Sequence, residues 1–130
     1  MKTIQTPVSP GEILDKITIL EIKVQAIKDA EKQKNVRHEL EILLRIWNDN
    51  IAYSAEMDTL KNQLKEVNQK IWNIEDAIRL KEASKSFDDA FIQIARSVYF
   101  QNDKRAAIKK EINLLLGSEL IEEKSYQNYE

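Results

Sequence analysis

Asn68, Trp72, Glu75, Arg79 and Glu82 recur at spacings of 4, 3, 4 and 3, so on a helix they share one row. An amide, an indole, two carboxylates and a guanidinium in one row can line a polar ligand cleft between helices. The same row can also be an ion-pair flank, with Glu75–Arg79 and Arg79–Glu82 pairing along the helix surface. Residue types alone leave both readings open.

A second group is basic. Arg96, Lys104, Arg105, Lys109 and Lys110 form a local excess of positive charge, and Tyr99 adds a hydrogen-bonding phenol. The last four accompany an expected helix start at Asn102-Asp103, where free backbone N–H groups would attract a phosphate or carboxylate. Asp103 would itself occupy that positive end, and a basic helix face is commonly just solvated. Glu21 borders the apolar seam of the first helix with no opposite charge four residues before it, so Arg79 or Arg96 is its expected partner from another helix. Lys16 lies four residues after Glu12, a favourable helical pair that needs no function.

Familiar catalytic patterns are missing. His38 is the sole histidine and stands between Arg37 and Glu39, an exposed position on any helix starting nearby. Histidine-rich metal sites and a Ser–His nucleophile are therefore excluded elsewhere in the chain. With glycine only at 11 and 117 there is no phosphate-binding loop. Carboxylates are numerous enough to compose an all-oxygen Mg²⁺ site, but none is assigned, and no metal or cofactor is expected. The paired Glu-x-x-Glu and Glu-x-x-Asp spacing of all-α nucleotide pyrophosphohydrolases is absent.

These residues need a scaffold, and the helix breakers say what it is. Both prolines and both glycines sit near the ends, as Pro7, Pro10, Gly11 and Gly117. A sheet of this length would need tight turns, which mostly call on Gly or Pro. The 130-residue chain is therefore read as one all-α domain over 1–130, an antiparallel bundle of four to five helices. Charged residues make up 32%, above the roughly 25% of an ordinary domain, and belong on the wet faces of helices. A formal net charge of −2 gives no general attraction to nucleic acid or to an anionic membrane. No cysteine is present, which excludes disulfides and thiolate metal sites and identifies no compartment. No apolar leader opens the chain and no run is apolar enough to span a bilayer, so a cytoplasmic protein is expected.

Residues 1–8 read as an extended arm, expected to lie on the bundle or on a second subunit. Ser9 caps the first helix and Pro10 takes its first position, with Glu12 three residues past the cap. Ile13, Ile17, Leu20, Val24 and Ile27 form its seam, while Ile19 and Ile22 lie outside it and call for cover on a second side. The polar run Asp29–Asn35 is expected to end it. A second helix starts near Val36, and an interruption falls between Asn48 and Ala55, where Ser54 caps a new helix.

The third helix, Ala55 to Ser84, repeats Met57, Leu60, Leu64, Val67, Ile71, Ile74 and Ile78 at spacings alternating between 3 and 4. That coiled-coil-like pattern would run about 45 Å. Ser86 with Asp89 reads as the next cap, Asn102 or Asp103 as another, and Gly117 as a left-handed stop. Residues 118–130 form an acidic tail.

Several blocks together resemble a functionally uncharacterised family of small proteins from bacteria and their phages. They are Pro7-Val8-Ser9-Pro10-Gly11-Glu12 with Asp15 to Lys23, Ile74 to Arg79, Ala95 to Tyr99, Asn102-Asp103, Arg105 to Lys110 and Glu122 to Tyr126. The resemblance covers nearly the whole chain and implies no activity. It does embrace Lys16, Glu21, Glu75, Arg79, Arg96, Tyr99, Arg105 and Lys109, and so weights the charged positions as well as the apolar repeat. The leading expectation is a homo-oligomer, most simply a dimer, that binds a small anionic ligand or a protein partner in a polar interhelical cleft. Glu21, Asn68, Trp72, Glu75 and Arg79 would line it, with Arg96, Arg105 and Lys109 countering ligand charge. The alternatives are a small acid–base or Mg-dependent enzyme using Glu21 or Glu75, and a purely structural assembly module.

Overall fold

The computed structural model describes residues 2–130, so Met1 of the expected arm lies outside the described residues. Among them are four helices and no strand: α1 (Pro10–Ala26), α2 (Ala30–Asn50), α3 (Ala55–Ala83) and α4 (Asp89–Leu115). Each begins on a side-chain oxygen that accepts an otherwise unpaired first-turn N–H. Ser9 Oγ takes Glu12 N–H at 3.2 Å, Asp29 Oδ2 takes Lys32 N–H at 2.9 Å, and Ser54 Oγ takes Met57 N–H at 3.0 Å. Asp88 Oδ1 takes Phe91 N–H at 2.9 Å, and that bond, with Lys81 beside it, holds the Asp88 carboxyl below its ordinary pKa.

Three expected boundaries move. The cap before α4 is Asp88 and not Ser86, whose N–H is instead used to close the end of α3. The polar run from Asp29 starts α2 instead of only ending α1, because Asp29 is itself the cap. Asn102 and Asp103 lie inside an unbroken α4, so the described residues form four helices and no fifth. An Asn or Asp caps only where the backbone leaves the helix, and no Gly or Pro nearby makes it leave there. The break after Asn50 and the cap at Ser54 fall where expected.

Helix ends close as carefully as they begin. After α4, Ser118 N–H bonds Asn113 O at 2.8 Å and Gly117 N–H bonds Leu114 O at 3.3 Å, with Gly117 at φ 63°. This is a Schellman stop. After α3 the same pair of bonds forms from Ser86 and Lys85, but the left-handed position is held by Lys85, at φ 54°. The amide of Gln33 donates to Val24 O and Ile27 O, satisfying carbonyls that the end of α1 leaves open.

Hydrogen bonds and ion pairs between elements fix their directions. α1 and α2 run antiparallel, with Gln33 near Val24 and Lys16 near Glu39. α3 and α4 run antiparallel, joined by Arg105 to Asn68 and Lys81 to Asp88. α1 packs on all three other helices, whereas α2 packs chiefly on α1. A helix so surrounded must be buried on more than one side, which accounts for Ile22 as well as Leu14, Ile17 and Leu20. Leu14, Met57, Leu64 and Ile112 form the inner cluster, with Trp47, Leu60, Ile108 and Leu116 packed around it.

α1 has 17 residues and α3 has 29, or about 25 Å against about 43 Å. The repeat of α3 divides accordingly. Met57, Leu64 and Val67 are buried, whereas Ile71, Ile74 and Ile78 are only half-buried. Residues 2 to 8, before α1, have no regular secondary structure and are exposed. Beyond Gly117 the tail turns back along α4. No described helix is long and apolar enough to cross a membrane.

Candidate functional site

α1 meets α4 through its smallest residue. A Cβ on Gly11 would stand 2.6 Å from the backbone oxygen of Lys109, so only glycine permits this approach. The approach lets the buried Asn113 side chain accept Gly11 N–H at 2.8 Å, an amide the helix itself cannot pair. Gly11, Asp15 and Thr18 are spaced 4 and 3 and are all buried, a small and polar row beside the apolar seam.

That row feeds a polar network. Asn68 Nδ2 lies 2.9 Å from both Asp15 Oδ1 and Thr18 Oγ1, and Thr18 Oγ1 donates to Asp15 O at 2.9 Å. Arg105 Nη1 donates to Asn68 Oδ1 at 3.3 Å, and its Nη2 to Asn102 Oδ1 at 2.8 Å. One turn on, Lys109 Nζ meets Glu12 Oε2 at 2.8 Å, Glu122 Oε2 at 3.3 Å and Asp15 Oδ2 at 3.8 Å. Burial pushes the Lys109 ammonium down, but the Glu12 bond and the charges of Asp15, Glu12 and Glu122 outweigh it and leave its pKa raised. The Lys109 charge, with Lys124, holds the Glu122 carboxyl below its usual range.

The two cations of the network differ. Lys109 gathers three carboxylates around itself, the arrangement of an internal counter-ion. Arg105, half-buried, is bound by two neutral amides and is paired to no carboxylate among the described residues. Most of its fork of donors is unused.

Arg105 also stands where two cavities meet. One is a cleft of about 360 Å³ between α1, α3 and α4, lined by Asn68, Trp72, Glu75, Arg79 and Arg105, with Ile19 and Ile22. The other, of about 950 Å³, lies between α4 and the tail, where Tyr99, Arg105 and Lys109 face Lys124, Tyr126 and Tyr129. Tyr129 closes the tail onto α4 by donating to Asp103 at 2.6 Å, a bond that pushes its phenol up to about 12.

Of the residues singled out by spacing, the structure therefore brings together Asn68, Trp72, Glu75, Arg79 and Arg105 on one cleft, and Tyr99, Arg105 and Lys109 on the other cavity. Arg79 pairs with Glu75 as expected, Nε and Nη2 lying 3.3 and 3.2 Å from one oxygen. Glu82 turns to Lys85 at 3.0 Å instead of to Arg79.

Other positions go elsewhere. Glu21 faces Lys61 at 3.6 Å, not Arg79 or Arg96, because Lys61 is the cation that α3 places beside it. Lys16 is exposed and lies 4.0 Å from Glu39, while Glu12, its expected partner, goes to Lys109. Arg96 is exposed and donates to Gln93 at 3.2 Å, with its guanidinium over the Phe100 ring. The expected anion-binding helix start at Asn102-Asp103 does not exist, since mid-helix N–H groups are already bonded within α4. The basic residues there act through side chains alone.

Asp15, Thr18, Asn113 and Glu122 were not singled out by spacing. The first two carried a signal in the row starting at Gly11; Glu122 joins only because the tail folds back, which no local pattern encodes.

No curated protein and no solved structure matches this chain. A family model does match, over residues 4–129. The helices and the polar network that joins them all fall within that span, and the chain belongs to the family of unknown function DUF6165.

Proposed function

We propose that this chain is a helical binding module that takes a small anionic ligand in the polar cleft between α1, α3 and α4, with Arg105 as the anchor. One observation carries the reading: Arg105 is half-buried, held in place by two amides, and without a carboxylate partner among the described residues. A guanidinium partly removed from water gains most from an oxyanion that its fork can grip. Trp72 supplies a flat wall and Arg79 a second cation at the mouth. No observation favours an acid–base enzyme. Glu12, Asp15 and Glu122 converge on a lysine, Glu75 meets an arginine and Glu21 a lysine.

Thermal-shift screening against phosphate, carboxylates, nucleotides and sugar phosphates tests the proposal. A rise in melting temperature that disappears in Arg105→Gln supports it. No hit, together with Arg79 and Arg105 both tolerating alanine, removes it.

The proposal extends to self-association. Ile42 and Ile46 on α2, and Leu80, Phe87 and Ile92 at the far end of the α3–α4 hairpin, are exposed apolar side chains. Sedimentation velocity is expected to show a dimer that dissociates on dilution; a monomer at all concentrations rejects it.

A further inference from the structure

The cavity beneath the tail is built from different chemistry than the cleft. Its volume, about 950 Å³, falls within the range of small-molecule sites. Three tyrosines stand on its walls without being buried: Tyr99 is 42% exposed, Tyr126 76% and Tyr129 49%. Tyr99 and Tyr129 meet edge to face, with centroids 5.2 Å apart, which orders the two rings against each other. Arg105 is shared with the cleft, and the tail contributes Lys124. Asp103 and Glu130 also line this cavity, so its walls are not broadly basic. Asp103 is committed to the Tyr129 hydroxyl, which leaves selection for an anion local to Arg105.

Flat aromatic faces beside a guanidinium fork suit a particular shape of molecule. We infer that this cavity binds a flat aromatic ring joined to an oxyanion, with the oxyanion on Arg105 and the ring among Tyr99, Tyr126 and Tyr129. Nucleoside monophosphates and aryl carboxylates share that chemistry. Stacking supplies affinity with little regard to the identity of the ring, and the fork fixes its oxyanion end. Two of the three tyrosines belong to the tail, so the bound ring also fastens the tail to α4. This inference rests on Arg105 being the anchor proposed above.

Calorimetry on the full chain with inorganic phosphate, acetate, phenyl phosphate, benzoate and adenosine monophosphate separates the two claims. Ring-bearing probes are expected to bind at least about 10-fold more tightly than the matching ringless anion, as one stacked ring implies. Tyr126→Ala and Tyr129→Ala should erase that gain while leaving phosphate binding in place. Tyr126→Phe, which keeps the ring and leaves the Tyr129–Asp103 bond in place, should retain it, and so separates loss of a ring from a tail that has merely come loose. Ring-bearing probes should also slow chymotryptic cleavage at Tyr126. Phosphate binding with no preference for rings, or a gain that survives both alanine variants, overturns this inference alone. Binding of none of the probes overturns it together with the role of Arg105. Phenyl phosphate and adenosine monophosphate binding without benzoate narrows the oxyanion to phosphate and supports the site.

Discussion

The side-chain oxygen of Asn113 accepts the backbone N–H of Gly11 at 2.8 Å, tying the first turn of α1 to the last turns of α4. Two substitutions probe this contact from opposite sides. In Gly11→Ala the new methyl meets the Lys109 backbone oxygen, which cannot swing away as a side chain would. The roughly 1 kcal/mol that alanine gains over glycine in a helix is then outweighed by about 1–3 kcal/mol of overpacking. Asn113→Leu instead leaves a buried N–H unpaired, at about 1–3 kcal/mol. Urea unfolding should show a lower midpoint for both; an unchanged or raised midpoint for Gly11→Ala means the helices do not approach this closely.

Lys109 sets a pH window. Its raised pKa contributes stability that is complete below the unfolded value, near 10.5, and is lost as pH rises through the folded value. The lowered pKa of Glu122 contributes stability that is complete above 4.5 and is lost as pH falls through its folded value. Lys109→Met leaves Glu12, Asp15 and Glu122 facing one another without a cation. The expected loss at pH 7 is about 2–3 kcal/mol, less than the ~3–5 kcal/mol of a fully buried pair because Glu12 and Glu122 remain partly in water. Protonating Glu122, whose carboxyl Lys109 holds low in the wild type, should narrow the gap between variant and wild type as pH falls below 4.5. A gap that stays constant as pH falls below 4.5 contradicts the arrangement.

The tail reports its own docking through Tyr129. Its phenol, ordinarily near 10.0, is pushed up to about 12 by the Asp103 bond. Because the neutral phenol is the form held in the fold, this contact supports the tail below pH 10.0 and is lost between there and about 12. Asp103→Asn removes the charge and should bring one tyrosine back toward 10.0 in a titration followed by ultraviolet absorbance. If all four tyrosines titrate together in the wild type, the tail is not docked.

Lys85 occupies a left-handed position that favours glycine. Lys85→Gly should therefore stabilise the chain by about 0.5–1 kcal/mol, since the strain relieved exceeds the entropy that glycine adds to the unfolded state. Losing the exposed Lys85–Glu82 pair subtracts little. A lower denaturation midpoint in the variant refutes the argument.

How much of this could be read from the chain depends on whether the cause was local. Caps at Ser9 and Ser54 and the stop at Gly117 are set by neighbouring atoms, and spacing located them. The row Asn68–Trp72–Glu75–Arg79 was legible as well, because helical periodicity alone brings those residues to one face, and it does line a cleft. Asn102 and Asp103 misled because capping residue types also occur mid-helix, where only the backbone path decides their role. Asp15 and Thr18 escaped notice because polarity was read as exposure, whereas a central helix buries polar groups that find partners on its neighbours. Glu21 went to the wrong cation since its partner depended on how two helices cross, which periodicity along either one does not encode.

The unequal helix lengths have a mechanical consequence. From Trp72 to the end of α3, and from the start of α4 to Phe100, no residue is fully buried, so beyond the cleft it shares with Ile19 and Ile22 of α1 this half of the hairpin rests on its own two helices. It is a cantilever rooted near Asn68 and Arg105. Amide exchange along α3 should therefore quicken from Leu64 toward Ala83, as local opening needs less of the core to be broken. A force or a partner acting on Leu80 or Phe87 at the free end would turn about that root, and Arg105, with its grip on Asn68 and Asn102, lies at the fulcrum.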